Sequence, residues 1–429
     1  MPVSPDKEMM RYLLLVAMML ICFSSLLLGA GEDLFIEVES EGIQKMEIGV
    51  IAFQPKQAES GPPLTGAPWT VVATDLRFSG RFNVTEFSVL DTAELHRKNI
   101  AVFIDGKWSR EGEKVVLDCF VHDAFTLSQI TGKQYSVREK DVRRASHLFS
   151  DEAVFRLFGE KGIASTRIVC VAQFGKAKEI CIMDYDGYNL TRLTSNNQLN
   201  LSPCFSPDNK SVVYTSYRQG TPALYKTGIY TGKTVRLTTN NRLNFSPSWS
   251  SVDDRIAFAS TMNGDCDIYT MDADGGAMKR ITMGGAIESS PCYSPNGYEI
   301  TFTSDRTGNP QVYIMDNEGT HIRRLTFEGK YNDAPTWSPK GDKITYISLE
   351  KARFDIYTVD LEGSNVKRLT QENGSNEHPS FSPDGRLLVF SSTRAGGSDL
   401  YLMGADGTDQ TRITFTGNLS SPEWSGYYE

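Results

Sequence analysis

A chain of 429 residues is too long for one ordinary hydrophobic core, which makes two domains the natural starting point. With 40% hydrophobic and 23% charged residues it is neither disordered nor collagen-like in composition. A formal net charge of −9 excludes a binder that meets nucleic-acid phosphates with a basic face.

Lys7 and Arg11 precede an uncharged apolar run from Tyr12 to Leu28, followed by Leu28-Gly29-Ala30. A basic start, an apolar stretch and a small-residue cleavage site predict a secretory signal peptide over residues 1–30, cut after Ala30, which would leave no membrane span in the mature chain. A retained signal anchor is the alternative, because the run is near the lower limit for crossing a bilayer. Cys22 follows the bulky Ile21, which argues against lipidation there. Six of the seven cysteines remain after cleavage, in a compartment that permits disulfides.

Residues 31–162 read as a small α/β domain. Leu34 to Glu39 and Met46 to Phe53 have strand character, and Pro68 suits the first position of a helix running from Trp69 towards Ser79. Ala101 to Ile104 and Val115 to Val121 predict a hairpin around Gly106-Lys107. A second helical stretch covers about Lys140 to Phe158, with Val142, Ala145, Phe149, Ala153 and Leu157 on one face. Ser150 is a candidate cap restarting it, and Gly159 and Gly162 end it.

From residue 163 to 429 the chain repeats. Arg192-Leu193-Thr194 recurs as Arg236-Leu237-Thr238, Arg280-Ile281-Thr282, Arg324-Leu325-Thr326, Arg368-Leu369-Thr370 and Arg412-Ile413-Thr414, each step being 44 residues. Pro203, Pro247, Pro291, Pro335 and Pro379 keep the same step, and Pro422 comes one residue early. Each unit reads as four short strands, A to D, separated by turns such as Pro383-Asp384-Gly385. Four strands at a period of about 40–45 residues describe a propeller blade. Six units predict an all-β six-bladed β-propeller behind the α/β domain.

The first B-C-D unit has no strand A before it, and the last strand A has no unit after it. Pro422-Glu423-Trp424-Ser425 is therefore expected to complete the first blade and close the ring. Strand B places Tyr214, Phe258, Phe302, Tyr346 and Phe390 at one site, and strand C places Tyr225, Tyr269, Tyr313, Tyr357 and Tyr401 at another. The first blade substitutes Cys170 and Cys181, which form either a disulfide or two buried thiols.

Ser150 to Phe155, Thr166-Arg167-Ile168-Val169, the phrase Asp184-Tyr185-Asp186-Gly187-Tyr188-Asn189, the repeats and the ending Pro422 to Ser425 follow one another in an order that resembles the TolB family. The resemblance spans essentially the whole mature chain. It implies a monomeric periplasmic scaffold without catalysis or cofactor. Its propeller is expected to bind the peptidoglycan-associated lipoprotein Pal, and its mature N-terminus the inner-membrane-anchored protein TolA, in a system supporting outer-membrane integrity and cell division. The N-terminal segment Glu32, Asp33, Leu34, Phe35, Ile36, Glu37 and Val38 is acidic and departs from the family's usual start. It is either an edge strand offered to TolA or a strand of its own domain.

For Pal, the loops from strand D to the next strand A converge on one mouth of the propeller. They offer Asn200, Leu201, Leu243, Asn244, Glu288, Ser289, Asn332, Asp333, Glu377, His378 and Asn418 as a partner surface, or alternatively as solvated turns. The five histidines show no metal spacing, and acidic turns such as Asp184-x-Asp186-Gly lack the other ligands of a calcium loop. No Gly-x-Ser-x-Gly elbow occurs. The competing reading, a secreted propeller lyase or glycosidase, requires carboxyl groups clustered in the channel.

Overall fold

The computed structural model describes residues 45–56, 64, 66–371 and 374–428; the expected signal peptide, the strand predicted at Leu34 to Glu39 and the proposed TolA segment lie outside them. The α/β part begins with β1 (Met46–Ile51) and β2 (Gln54–Pro55), then α1 (Pro68–Phe78), β3 (Phe82–Phe87) and α2 (Thr92–Arg97). It continues through β4 (Val102–Glu111), β5 (Lys114–Asp123), β6 (Gln129–Arg138) and α3 (Val142–Phe158). The sheet runs β3-β1-β4-β5-β6, with β1 parallel to both neighbours and the remaining main pairs antiparallel. Ile48, Val50, Ile104, Leu117 and Val121 meet Val72 and Leu76 of α1 and Phe149 and Ala153 of α3 in one core. Leu95 of α2 covers Ile51 and Phe103 on the other face.

Two local expectations need correction. The β4–β5 hairpin turns at Gly112, not at Gly106-Lys107, and Gly106 lies inside β4. A Cβ there would sit 2.6 Å from the Asp118 carbonyl oxygen and 2.7 Å from the Phe53 ring, so the glycine marks a close approach rather than a turn. Ser150 does not restart a helix. It lies inside α3, and its hydroxyl reaches back to the Ser146 carbonyl at 3.0 Å. Pro68 does begin α1, and Gly159 does end α3, in the left-handed conformation with φ 73°.

Six four-stranded antiparallel sheets follow as blades. The repeat explains itself in hydrogen bonds. In every blade the Thr of the Arg-Leu-Thr triplet accepts, at 2.8–3.0 Å, an N–H from strand C: Ile180, Leu224, Ile268, Val312, Ile356 or Leu400. The aliphatic residue of the triplet is buried in five blades and half-buried at Leu193. The predicted aromatics are direct cross-strand partners, Tyr214 with Tyr225 through Phe390 with Tyr401, with ring centroids 5.6–6.3 Å apart. Cys170 faces Cys181 at the same register, and both are buried free thiols.

The ring closes as the phase of the repeats requires. The last strand, Leu419–Trp424, pairs antiparallel with Arg167–Phe174 in a sheet whose order places it at the innermost position. Ser425 then accepts the Arg167 N–H at 3.0 Å, as Ser206 accepts Ser211 and Ser382 accepts Leu387 within their own blades. Trp424 is buried and donates its indole N–H to Thr166 at 2.8 Å. Truncation of Ser421 to Glu429 is expected to lower the melting temperature far more than loss of a solvated tail would. Trp424→Ala should cost about 3–5 kcal/mol. Thermal denaturation followed by circular dichroism checks both, and an unchanged melting curve in the truncated protein contradicts the closure.

Candidate partner-binding face

Strand A lines the central channel and begins at the mouth formed by the D-to-A loops; the A-to-B and C-to-D turns lie at the opposite end. This second end carries the α/β domain. Tyr185 and Asp186, in the first C-to-D turn, reach Asp75 of α1 and Arg143 of α3. Glu160, just past α3, pairs with Arg386 beside the sixth A-to-B turn. The D-to-A mouth therefore faces away from the α/β domain.

The residues predicted at that mouth separate into three groups. Asn200, Asn244, Glu288 and Asn332 are the first residues of their strands and are buried, so they are corrected from partner surface to framework. Asn200 donates at 3.0 Å to Glu179, which also accepts from Thr194 at 2.6 Å. Asn332 donates to Gln311 at 2.9 Å, and Asn376 donates to Asp355 at 3.0 Å. A strand C group, the triplet Thr and the first residue of the next blade thus form one latch between blades. Glu288 replaces the Asn in the fourth blade and is held by Arg306 instead. Leu201 packs half-buried against the Val169 and Tyr214 cluster, and Asn418 donates to the Gln173 carbonyl, so both also serve the framework.

Asp333, Glu377 and His378 face the channel, a cavity of about 420 Å³ that Glu423 also lines. Asp333 accepts from Ser290 at 3.0 Å, Thr303 at 2.7 Å and Tyr331 at 3.1 Å. Burial pushes the Glu423 carboxyl up to about 8, against the opposing pull of Cys204 and of the Phe205 N–H. Burial likewise lowers the His378 pKa, although Glu377 and Asp333 oppose it. Ser202, Ser246, Ser290, Ala334, His378 and Ser421 all adopt φ of 47–54° at the bulge preceding each repeat proline. That bulge turns the strand and sets its side chains towards the channel. Ser289 is half-buried at the strand start.

Leu243, 44% exposed, is the predicted residue that stands free of the framework. Its neighbours on the same mouth escaped the sequence reading: Leu199, Ile287, Met283, Phe327 and Phe415 are all exposed in the D-to-A loops. Their signal was available, since five of the six loops carry a large apolar residue immediately after the triplet or before strand A, the loop from Gln371 to Ser375 being the exception. The acidic C-to-D motifs act as turns: Gly187, Gly275 and Gly363 take positive φ, and Asp274 pairs with Lys226 at 2.8 Å.

The fold is that of a closed six-bladed propeller with a second domain covering one end and an apolar-rimmed opening at the other. Residues 154–428 match the family described as the TolB beta propeller domain, and the chain belongs to that family. It is 33% identical over 241 residues to the Tol-Pal system protein TolB of Desulfosudis oleivorans, covering 51% of this chain and 53% of that one. It is 37% identical over 215 residues to the protein of the same name from Geobacter metallireducens, covering 48% and 50%. The chain thus spans about half the length of the curated relatives it matches. The crystal structure of TolB from Acinetobacter baumannii superposes with a TM-score of 0.77 at 27% identity, over 90% of this chain and 97% of that one.

The division between framework and surface is testable. Glu288→Lys should destabilise the propeller by about 3–5 kcal/mol, since it removes one partner of a buried ion pair. Leu243→Arg should leave stability within about 0.5 kcal/mol, as expected of an exposed position. Chemical denaturation of the two variants measures this, and equal effects would contradict the assignment.

Proposed function

We propose that the chain is an exported periplasmic scaffold of the Tol-Pal system. In this reading its propeller binds a Pal-type peptidoglycan-associated lipoprotein, its mature N-terminus contacts a TolA-type inner-membrane protein, and the link supports outer-membrane integrity and cell division. The observation that carries the reading is the open mouth: exposed Leu199, Leu243, Ile287 and Phe327 rim a concave channel, while the α/β domain covers the other end. Exposed apolar groups around a concavity suit a folded partner or an inserted loop. The name shared by the curated relatives supports the system, and the fold shared with the Acinetobacter protein supports the architecture. Among the described residues no helix is long and apolar enough to cross a membrane.

The enzyme reading has one observation in its favour, the convergence of Asp333, Glu377 and Glu423 on the channel. Against it, Asp333 is already occupied by three hydroxyl donors. A turnover screen on glycans tests this reading directly.

In calorimetric titrations with the soluble domain of a Pal-type lipoprotein, Leu243→Arg and Ile287→Arg should each weaken binding at least about tenfold, as for an exposed anchor in an interface. Unchanged affinity in both folded variants would move the site to another face. Removal of Gly31 to Val38 should weaken binding to a TolA-type domain and leave the melting curve intact. Equal TolA binding by truncated and full-length protein refutes that contact.

A further inference from the structure

Between the α/β domain and the first blade lies a buried polar network that partner binding does not require. Asp75 of α1 accepts three donors: His147 Nδ1 at 2.9 Å to each oxygen, the Ser150 hydroxyl at 2.6 Å and the Tyr185 hydroxyl at 2.8 Å. The last comes from the propeller. Asp186, also from the propeller, pairs with Arg143 of α3, whose guanidinium lies 3.7 Å from the Tyr188 ring centre. The side chains of Asp75 and Asp186 are each 1% exposed.

The donor role of His147 Nδ1 is fixed by the Asp75 carboxylate. Its other nitrogen, Nε2, is buried without a hydrogen-bond partner and lies 3.9 Å from the Asp186 carboxylate. A neutral imidazole would aim a lone pair at that charge; an imidazolium aims an N–H at it. Charge counting gives the same answer. Two buried carboxylates, Asp75 and Asp186, and the less buried Asp184, 4.0 Å from Arg143, face one guanidinium, so the network is short of positive charge unless His147 carries it. The positive guanidinium already on Asp186, and the three donors already on Asp75, make a proton a better fit than a metal ion.

We propose that His147 is a proton-charged latch between the two domains: its imidazolium lets Asp75 of the α/β domain and Asp186 of the propeller share one buried network, and loss of that proton releases the α/β domain from the first blade. The groups facing His147 all bear on its charge. Burial alone would lower its pKa, but the charge and hydrogen bond of Asp75 and the charge of Asp186 outweigh burial and Arg143, and hold it up to about 9. Asp151, one turn further along α3, is itself pushed up to about 6 by burial. It secures the linker by accepting the Ala164 and Ser165 N–H groups at 2.7 and 2.9 Å. For a histidine whose pKa is raised in the docked state, the contribution is complete below the unfolded value of about 6.5 and is lost as pH rises through about 9. The latch therefore opens on the alkaline side.

Exposed Lys161 lies in the linker between α3 and the first blade, so trypsin cleavage after it reports release when scaled to cleavage of a free peptide of residues 156–166. In the full-length protein the scaled rate is expected to rise at least about tenfold between pH 7.5 and 10, since each linked pKa unit carries a tenfold change in the docking equilibrium. His147→Gln should be cleaved rapidly already at pH 7.5, with no further rise. Adding Asp186→Asn to that variant removes the uncompensated carboxylate and should slow cleavage again; a purely packing role for His147 predicts further loss instead. A flat wild-type profile, or failure of the double variant to recover, overturns the proposal. So does opening of the wild type by EDTA at pH 7.5 with reclosure by Zn²⁺ or Mn²⁺, which would make the missing charge a metal ion.

Discussion

The closed ring depends on one strand pairing made between the two ends of the repeat array. A blade needs four strands, and the first blade enters with three; the missing one is Leu419–Trp424, supplied from the far end of the sequence. Without that pairing two sheet edges would stand open, each with a row of unpaired backbone groups. With it, Arg167 donates to Ser425, and Trp424 packs near Tyr185, whose hydroxyl carries the contact with the α/β domain. Closure thus positions the surface on which the second domain docks, as well as sealing the barrel of blades.

The two ends of the ring then diverge in chemistry. At one, buried charges and long side chains tie the blades to α1 and α3. At the other, the latch of strand C acid or amide, triplet Thr and next-blade Asn lies below the surface, and the loops above it bond through their backbone, as Leu243 and Ile287 do to Thr261 and Asp305, which leaves their apolar side chains free. Loops freed in this way can carry Leu, Ile, Met and Phe to solvent, and on a propeller such residues encircle a channel.

What the sequence made legible follows from where physics repeats. A hydrogen bond made six times leaves six threonines in register, and a cross-strand aromatic pair made five times leaves two columns of rings; both were readable by spacing alone. Interactions that occur once left no such trace. Gly106 looked like a turn because the closeness of Phe53, which demands a glycine in mid-strand, is a tertiary fact. Ser150 looked like a cap because one of its two acceptors, Asp75, lies 75 residues away. Four polar residues expected at the mouth are framework instead: Asn200 and Asn332 join the latch, Asn244 bonds Asn240 and Ser260, and Glu288 is held by Arg306, since a polar residue before a strand looks the same whether it faces water or a buried partner. The apolar rim was missed for the converse reason: exposed Ile287 or Phe327 resembles core until burial is known.

In the proposed function, the end of the propeller left uncovered by the α/β domain is the one that receives a partner. Hydrogen–deuterium exchange of the chain alone and bound to a Pal-type lipoprotein domain tests it most directly, because amide protection reports which segments lose access to solvent. Slowed exchange confined to the D-to-A loops around Leu199, Leu243, Ile287 and Phe327 is the predicted result. Protection of the A-to-B and C-to-D turns instead, with the D-to-A loops unchanged, would contradict it.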